Sequence, residues 1–235
     1  MLSNIILFSL LSGITVFIGG LISYFFEKST ISEKVKDVFI HFLIAFSTGI
    51  MLAAIAFVLI PQGMQNLSIY ISVVLFLLGA VSFYFLDNFI QRNNTKVPQI
   101  MAMLLDFIPE SIALGAMFAY DYKIGMLLAI FIALQNLPEA FNSYIELKAS
   151  KFSSRKSLLV LFFLSFIGLF FSMIGYFFLD DKIEITALLM VFASGGIMYL
   201  IFQDIAPTLK SKRTKLVALG VNFGFIIGML GEGLL

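Results

Sequence analysis

Long apolar segments follow one another through almost the whole of this sequence, and they restrict the fold more than any other feature. A helix needs roughly 20 predominantly apolar residues to cross the hydrocarbon of a bilayer, which is about 30 Å thick. Segments of that length recur throughout the 235 residues, separated by short polar breaks. We therefore predict an all-α membrane protein, a bundle of eight transmembrane helices that forms one domain, 1–235. The predicted spans are about 4–26, 37–61, 68–90, 98–120, 123–146, 157–179, 184–208 and 214–234.

The composition excludes most soluble and nucleic-acid-binding classes. Hydrophobic residues make up 60% of the chain and charged residues 12%, with a mean hydropathy of +1.04, whereas a soluble domain is about 25% charged. The net charge of +1 gives no basic face for a nucleic acid. Because the chain has no cysteine, disulfides, thiolate metal sites and cysteine nucleophiles are all excluded.

The positions of the basic residues predict the orientation. Thirteen of the 15 Lys and Arg residues fall in the loops after the first, third, fifth and seventh spans, whereas Lys123 and Lys182 fall on the other side. Cytoplasmic loops carry the positive excess in membrane proteins. We therefore expect a multi-pass protein of the cell (plasma) membrane with both termini outside. A span count that was wrong by one would have mixed the two sets of loops.

The fourth and fifth spans each carry polar side chains near their middle. Asp106 and Glu110 lie four residues apart in the fourth span, and Gln135 and Glu139 have the same spacing in the fifth. Residues four apart share one face of a helix. An ionisable side chain at membrane depth costs at least about 2.5 kcal/mol on insertion scales, so such residues are candidates for function.

Each of these motifs also places a proline beside its glutamate, at Pro109 and Pro138. A proline lacks an N–H and crowds the carbonyl four residues earlier, so it bends the helix and frees that carbonyl. Two carboxylates held together repel, and a divalent cation relieves the repulsion while it uses their oxygens as ligands. We predict that proline-bent helices 4 and 5 form a central cation site. The alternative is a pair of kinks whose protonated acids are hydrogen-bonded between helices.

The two motifs resemble those of the ZIP family of metal-ion transporters, whose fourth and fifth helices carry similar His-Asn-φ-Pro-Glu-Gly sequences. The corresponding stretches are Asp106-Phe107-Ile108-Pro109-Glu110-Ser111 and Gln135-Asn136-Leu137-Pro138-Glu139-Ala140. The second span, up to Pro61, and the seventh, from Ser194 to Pro207, are also similar to those of the family. The resemblance implies eight spans, outside termini and transport of a divalent metal, of the zinc, iron or manganese type, toward the cytoplasm.

The sequence departs from the family pattern at the ligand positions. Asp106 and Gln135 replace the motif histidines, Phe107 replaces an asparagine, and Val58 and Gly168 stand at two further polar positions. These changes imply one mononuclear, oxygen-rich site. Carboxylate and amide oxygens suit Mn²⁺ or another hard ion better than Zn²⁺, although affinity still rises toward the later transition metals. The predicted metal ligands are Asp106, Glu110, Gln135, Asn136, Glu139 and, near the end of the seventh span, Asp204.

Other functions stay open at this stage. The missing histidines also fit a ZIP-like protein that has lost metal transport and carries another small cation or acts as an interaction partner. An intramembrane hydrolase needs a metal with an open position and an activated water, and the one histidine, His41, is predicted near the membrane edge. We therefore predict no enzyme activity and no cofactor. The expected partners are the transported metal ion and the lipid bilayer, with no nucleic acid and with a homodimer left open.

Overall fold

The computed structural model describes residues 2–92, 98–179, 181–206 and 215–234. Within these ranges the chain forms helices and no strand. Eight of the described helices are long and apolar enough to cross a bilayer, which confirms the predicted all-α fold and the number of spans. They are α1 (Leu2–Glu27), α2 (Glu33–Gln65), α3 (Ile69–Arg92), α4 (Pro98–Tyr120), α5 (Tyr122–Ala149), α6 (Ser154–Leu179), α7 (Ile183–Leu200) and α8 (Lys215–Leu234).

Two of these helices contain a π-helical turn close to their end. In α2 the turn is Ala54–Leu59, and the N–H of Ile60 bonds to the carbonyl of Ile55, five residues back. Pro61 follows directly, and its ring crowds the carbonyl four residues earlier. A wider turn relieves this crowding at the cost of one inserted residue. α7 continues into a similar turn at Ile201–Ile205. Neither of these turns is predicted from the sequence.

α4 and α5 form a tight antiparallel hairpin. Asp121 is the one residue between them, and its Oδ1 accepts hydrogen bonds from the N–H groups of Lys123 at 2.9 Å and Ile124 at 3.3 Å. This is an N-cap that satisfies the first free donors of α5. Both helices run unbroken through Pro109 and Pro138, and the bend predicted at each proline stays a prediction.

Glycines let the helices approach one another at backbone distance. A Cβ atom at Gly115 of α4 would lie 1.8 Å from the carbonyl oxygen of Ser172, and one at Gly175 of α6 would lie 2.0 Å from that of Ile112. Small residues are typical of such contacts in membranes. α4 also packs on α7, while α5 packs on α1 and α2. The α4–α5 hairpin consequently lies in the interior of the bundle.

Candidate metal centre

Four polar side chains lie between α4 and α5, near the middle of both helices. Asp106 and Glu110 belong to α4, Gln135 and Glu139 belong to α5, and none is more than 6% exposed. The amide nitrogen of Gln135 donates a hydrogen bond to Glu110 Oε2 at 2.5 Å. This bond joins the polar faces of the two motifs.

The three carboxyl groups of this set are close enough to affect one another's charge. When ionised together, Glu139 would be repelled by Asp106 and Glu110, and Glu110 by Asp106. Such repulsion is stronger in a buried, low-dielectric environment than in water. The salt bridges found among the described residues all lie elsewhere, so none of them offsets this repulsion.

Five buried side-chain oxygen atoms of the two motifs have no hydrogen-bond partner among the described residues. They are Glu110 Oε1, Gln135 Oε1, Asn136 Oδ1 and both carboxylate oxygens of Glu139. A buried polar group without a partner costs about 1–3 kcal/mol, and more when it is charged. Glutamate and amide oxygens accept hydrogen bonds, so these five atoms need hydrogen-bond donors or a positive charge.

Asn136 faces a third helix. Its amide nitrogen donates to the carbonyl oxygen of Ser12 in α1 at 3.3 Å, which leaves its own oxygen without a partner. The sequence predicts Asn136 as a ligand but does not identify α1 as a wall of the site. Because the acceptor is a backbone carbonyl, no side-chain pattern in the first span signals this contact.

Phe107 and Gly168 are in direct contact. The Phe107 side chain is 1% exposed, and a Cβ atom at Gly168 would lie 2.4 Å from Phe107 Cζ. The aromatic ring therefore occupies the space that a side chain at position 168 would need. Phe107 and Gly168, two positions at which this sequence differs from the similar ZIP sequences, therefore pack against each other. Phe107 directly follows Asp106 in the chain.

The remaining candidates lie apart from this set or outside the description. The side chain of Asp204 is outside the described part of the chain, although its backbone belongs to the π-helical turn of α7. The Nδ1 atom of His41 lies 2.7 Å from the backbone carbonyl oxygen of Asp37. Val58 is fully buried inside the π-helical turn of α2.

Among the described residues, no three His, Cys, Asp or Glu side chains are grouped tightly enough to hold a metal ion. No protein-family model matches this chain, and no curated protein matches it. In the described structure, a hydrogen bond joins the side chains of Glu110 and Gln135. Asp106, Asn136 and Glu139 belong to the same two motifs.

The side-chain amide of Gln135 can take two orientations, which present different atoms to Glu110. Its nitrogen end donates to Glu110 and its oxygen end has no partner. A half-turn of the amide exchanges the two ends, because an amide carries a donor and an acceptor at equivalent positions. Gln135 can therefore satisfy Glu110 as a donor, or join Glu110 as an oxygen ligand of a cation.

Proposed function

We propose that the protein transports a divalent metal cation across the membrane, toward the cytoplasm, through the site between α4 and α5. The observation that carries the proposal is the set of five buried oxygens without donors. A cation between the two helices satisfies several of these acceptors at once, whereas each additional hydrogen-bond donor would satisfy only one or two. The resemblance of the two motifs to those of ZIP transporters supports the same function.

The proposed ligands have distinct roles. Glu110 and Glu139 supply the anionic oxygens, Gln135 and Asn136 supply neutral oxygens, and Asp106 supplies an additional negative charge. Because the carboxyl groups do not already form a compact group among the described residues, ion binding would bring their side chains together between α4 and α5. Asp204, near the end of the seventh span, is proposed as a further ligand that the ion meets after it leaves the site.

The donor atoms favour a hard ion. Every proposed side-chain ligand is an oxygen, and Mn²⁺, Mg²⁺ and Ca²⁺ prefer carboxylate and carbonyl oxygens. Zn²⁺ and Fe²⁺ stay candidates, because affinity for most ligand sets rises along the first-row metals. A single ion fits the site, since the Phe107 ring fills the space beside Gly168.

The orientation is part of the proposal. Thirteen of the 15 basic residues lie in the loops after the odd-numbered helices or at the helix ends that flank these loops, and this excess marks the cytoplasmic side. Both termini then lie outside, in the cell membrane.

Thermal unfolding in detergent tests the proposal. At an ion concentration 100 times the dissociation constant, a bound ion stabilises the folded state by about 2.7 kcal/mol. We expect Mn²⁺ to stabilise the parent and the control Glu184→Ala, whose side chain is exposed at the start of α7. Glu139→Ala should lose this response. If no divalent ion stabilises the parent, or if Glu139→Ala responds like the parent, the proposal is wrong.

Uptake into proteoliposomes identifies the ion. Labelled Mn²⁺, Zn²⁺ and Fe²⁺ are supplied in competition, and we expect Mn²⁺ to be carried at least as well as Zn²⁺, because the donors are all oxygens. A strong preference for Zn²⁺ would contradict the argument from hard ligands and leave metal transport intact.

A monovalent cation is the second candidate. It is favoured by the finding that no three acidic or histidine side chains of the described residues form a metal-binding group. Glu110 and Glu139 would then hold a small monovalent ion, or share a proton, between two carboxylates. Stabilisation by Na⁺ or K⁺ together with no response to any divalent ion would support this function over the first.

A further inference from the structure

Three buried serine hydroxyls have no hydrogen-bond partner among the described residues, those of Ser23 in α1, Ser111 in α4 and Ser143 in α5, and all three side chains are at most 1% exposed. Ser23 and Ser143 belong to α1 and α5, which pack on each other. A buried helical serine commonly bonds a carbonyl one turn back, as Ser194 does with Met190 at 2.7 Å. Buried groups that lack such a bond need an explanation.

The two hydroxyls lie at one level, next to the proposed metal site. Ser143 follows Glu139 by four residues, which places it on the same face of α5 about 6 Å farther along the axis. On α1, a Cβ atom at Gly19 would lie 2.2 Å from the carbonyl oxygen of Leu137. Ser23 is one turn beyond Gly19, so it lies level with the turn of α5 that contains Ser143.

A cleft of about 270 Å³ begins at Ser23 and is lined by residues of α1, α2 and α5. Its charged lining consists of three carboxylates and one ammonium group, from Glu27, Glu33, Asp37 and Lys36. The outer end reaches solvent, because the Glu33 side chain is 90% exposed. The cleft therefore extends from a buried, unpartnered hydroxyl to the side of the bundle that carries the basic loops.

The charges in the cleft favour cations. Lys36 Nζ lies 3.2 Å from a carboxylate oxygen of Glu33 and donates to the carbonyl oxygen of Glu27 at 3.3 Å. From outside the lining, Lys148 lies 3.8 Å from Glu27, and the Tyr144 hydroxyl donates to the same carboxylate at 2.9 Å. The lining side chains still carry more negative than positive charge, and a cleft lined by one sign of charge concentrates ions of the opposite sign.

We propose that this cleft, continued inward by the Ser23 and Ser143 hydroxyls, is the path along which the divalent cation moves between the α4–α5 site and the basic side of the membrane. The path rests on the proposed function. Each step covers about one helical turn, from Glu139 to the two serines and from the serines to the carboxylates of the cleft. The hydroxyl oxygens replace water ligands of the ion at the narrowest, buried step.

The absence of cysteine from the sequence permits a clean test with single cysteines. Ser23→Cys and Ser143→Cys change one atom each, and Ser172→Cys is the matched control, because Ser172 is also fully buried but donates to Ser9 Oγ at 2.6 Å. The probe is 2-(trimethylammonium)ethyl methanethiosulfonate, a cationic reagent that does not cross membranes, applied from the basic side. The parent protein reports any background reaction.

We expect Ser23→Cys and Ser143→Cys to react at least about tenfold faster than Ser172→Cys, which becomes accessible only when the helices open locally. The cationic adduct at position 23 should lower Mn²⁺ flux about tenfold or more, because a fixed positive charge repels a divalent ion in a confined path. The small neutral adduct from methyl methanethiosulfonate should lower it much less. The same labelled protein should still bind Mn²⁺ at equilibrium, since position 23 lies about one helical turn from the α4–α5 site and supplies none of its proposed ligands.

Two results would overturn the path without touching the proposed function. One is that neither cysteine reacts faster than the control in a parent that binds Mn²⁺. The other is that fully labelled Ser23→Cys protein carries Mn²⁺ at the unlabelled rate. Failure of the parent to bind or carry any divalent ion would instead overturn the proposed function, and with it the ion assigned to the path. If Ser143→Cys does not fold, Ser23→Cys carries the test alone.

Discussion

The contact between Phe107 and Gly168 makes a quantitative prediction about the packing beside the site. In Gly168→Ala, the new methyl group would lie 2.4 Å from Phe107 Cζ and 2.9 Å from Phe107 Cε2. The ring cannot swing into solvent, because its side chain is 1% exposed. Overpacking of this kind costs about 1–3 kcal/mol, which lowers the melting temperature of a protein of this size by about 2–12 °C.

Thermal unfolding in detergent measures this cost as a double-mutant cycle. In the background of Phe107→Leu the ring is absent, so Gly168→Ala should lose most of its penalty and give a coupling energy of about 1–3 kcal/mol. Gly233→Ala is the control, because a Cβ atom there meets nothing within 4 Å. We expect it to change stability by at most about 0.5 kcal/mol, as for most surface substitutions.

Additivity of the two substitutions would refute the reasoning. It would mean that the ring does not occupy the space beside position 168 and that no steric reason limits the site to one ion. A penalty for Gly168→Ala that persists in Phe107→Leu would have the same meaning.

Three further predictions concern other parts of the bundle. Gly115→Ala should destabilise more than Gly168→Ala, because its methyl group meets a backbone oxygen at 1.8 Å; equal melting temperatures for the two variants would contradict this. Tyr199→Phe removes the hydroxyl that donates to buried Asp87 at 3.1 Å and should cost about 1.5–3 kcal/mol in chemical unfolding, and an unchanged midpoint would show that this bond contributes nothing. Lys36→Met removes the ammonium group of the cleft and should raise Mn²⁺ flux several-fold through stronger cation attraction, whereas a fall in flux would indicate a different path.

The number of helices could be predicted because the hydrocarbon thickness sets one length for every span. Their ends could not be predicted as closely. α2 begins at Glu33 rather than at residue 37, since its first turn is polar and extends beyond the apolar segment. Hydropathy reports the apolar part of a helix and not its hydrogen-bonded end. The π-helical turn Ala54–Leu59 was missed because one inserted residue leaves an apolar segment apolar.

The site could be predicted only in part, for a related reason. The four-residue spacing and the hairpin make Glu110 and Gln135 neighbours, and they are joined by a hydrogen bond. The contact of Asn136 with Ser12 depends on which helix packs against α5. That choice is made by long-range backbone contacts, such as the one at Gly19, which no local pattern encodes.

Gln135, at the position where the similar ZIP motif has a histidine, would have a physical consequence in the proposed carrier. A carrier must release its ion as well as bind it, and five buried acceptors without donors make the ion-free site costly. In a neutral imidazole one nitrogen donates and the other accepts, and exchanging the two roles needs a proton to move, whereas an amide exchanges its donor and acceptor by rotation. The Gln135 nitrogen donates to Glu110, which offsets part of the cost of leaving that carboxylate buried. In the proposed carrier, ion binding would turn the oxygen of the same residue toward the cation, and this switch would need no change in the protonation of Gln135.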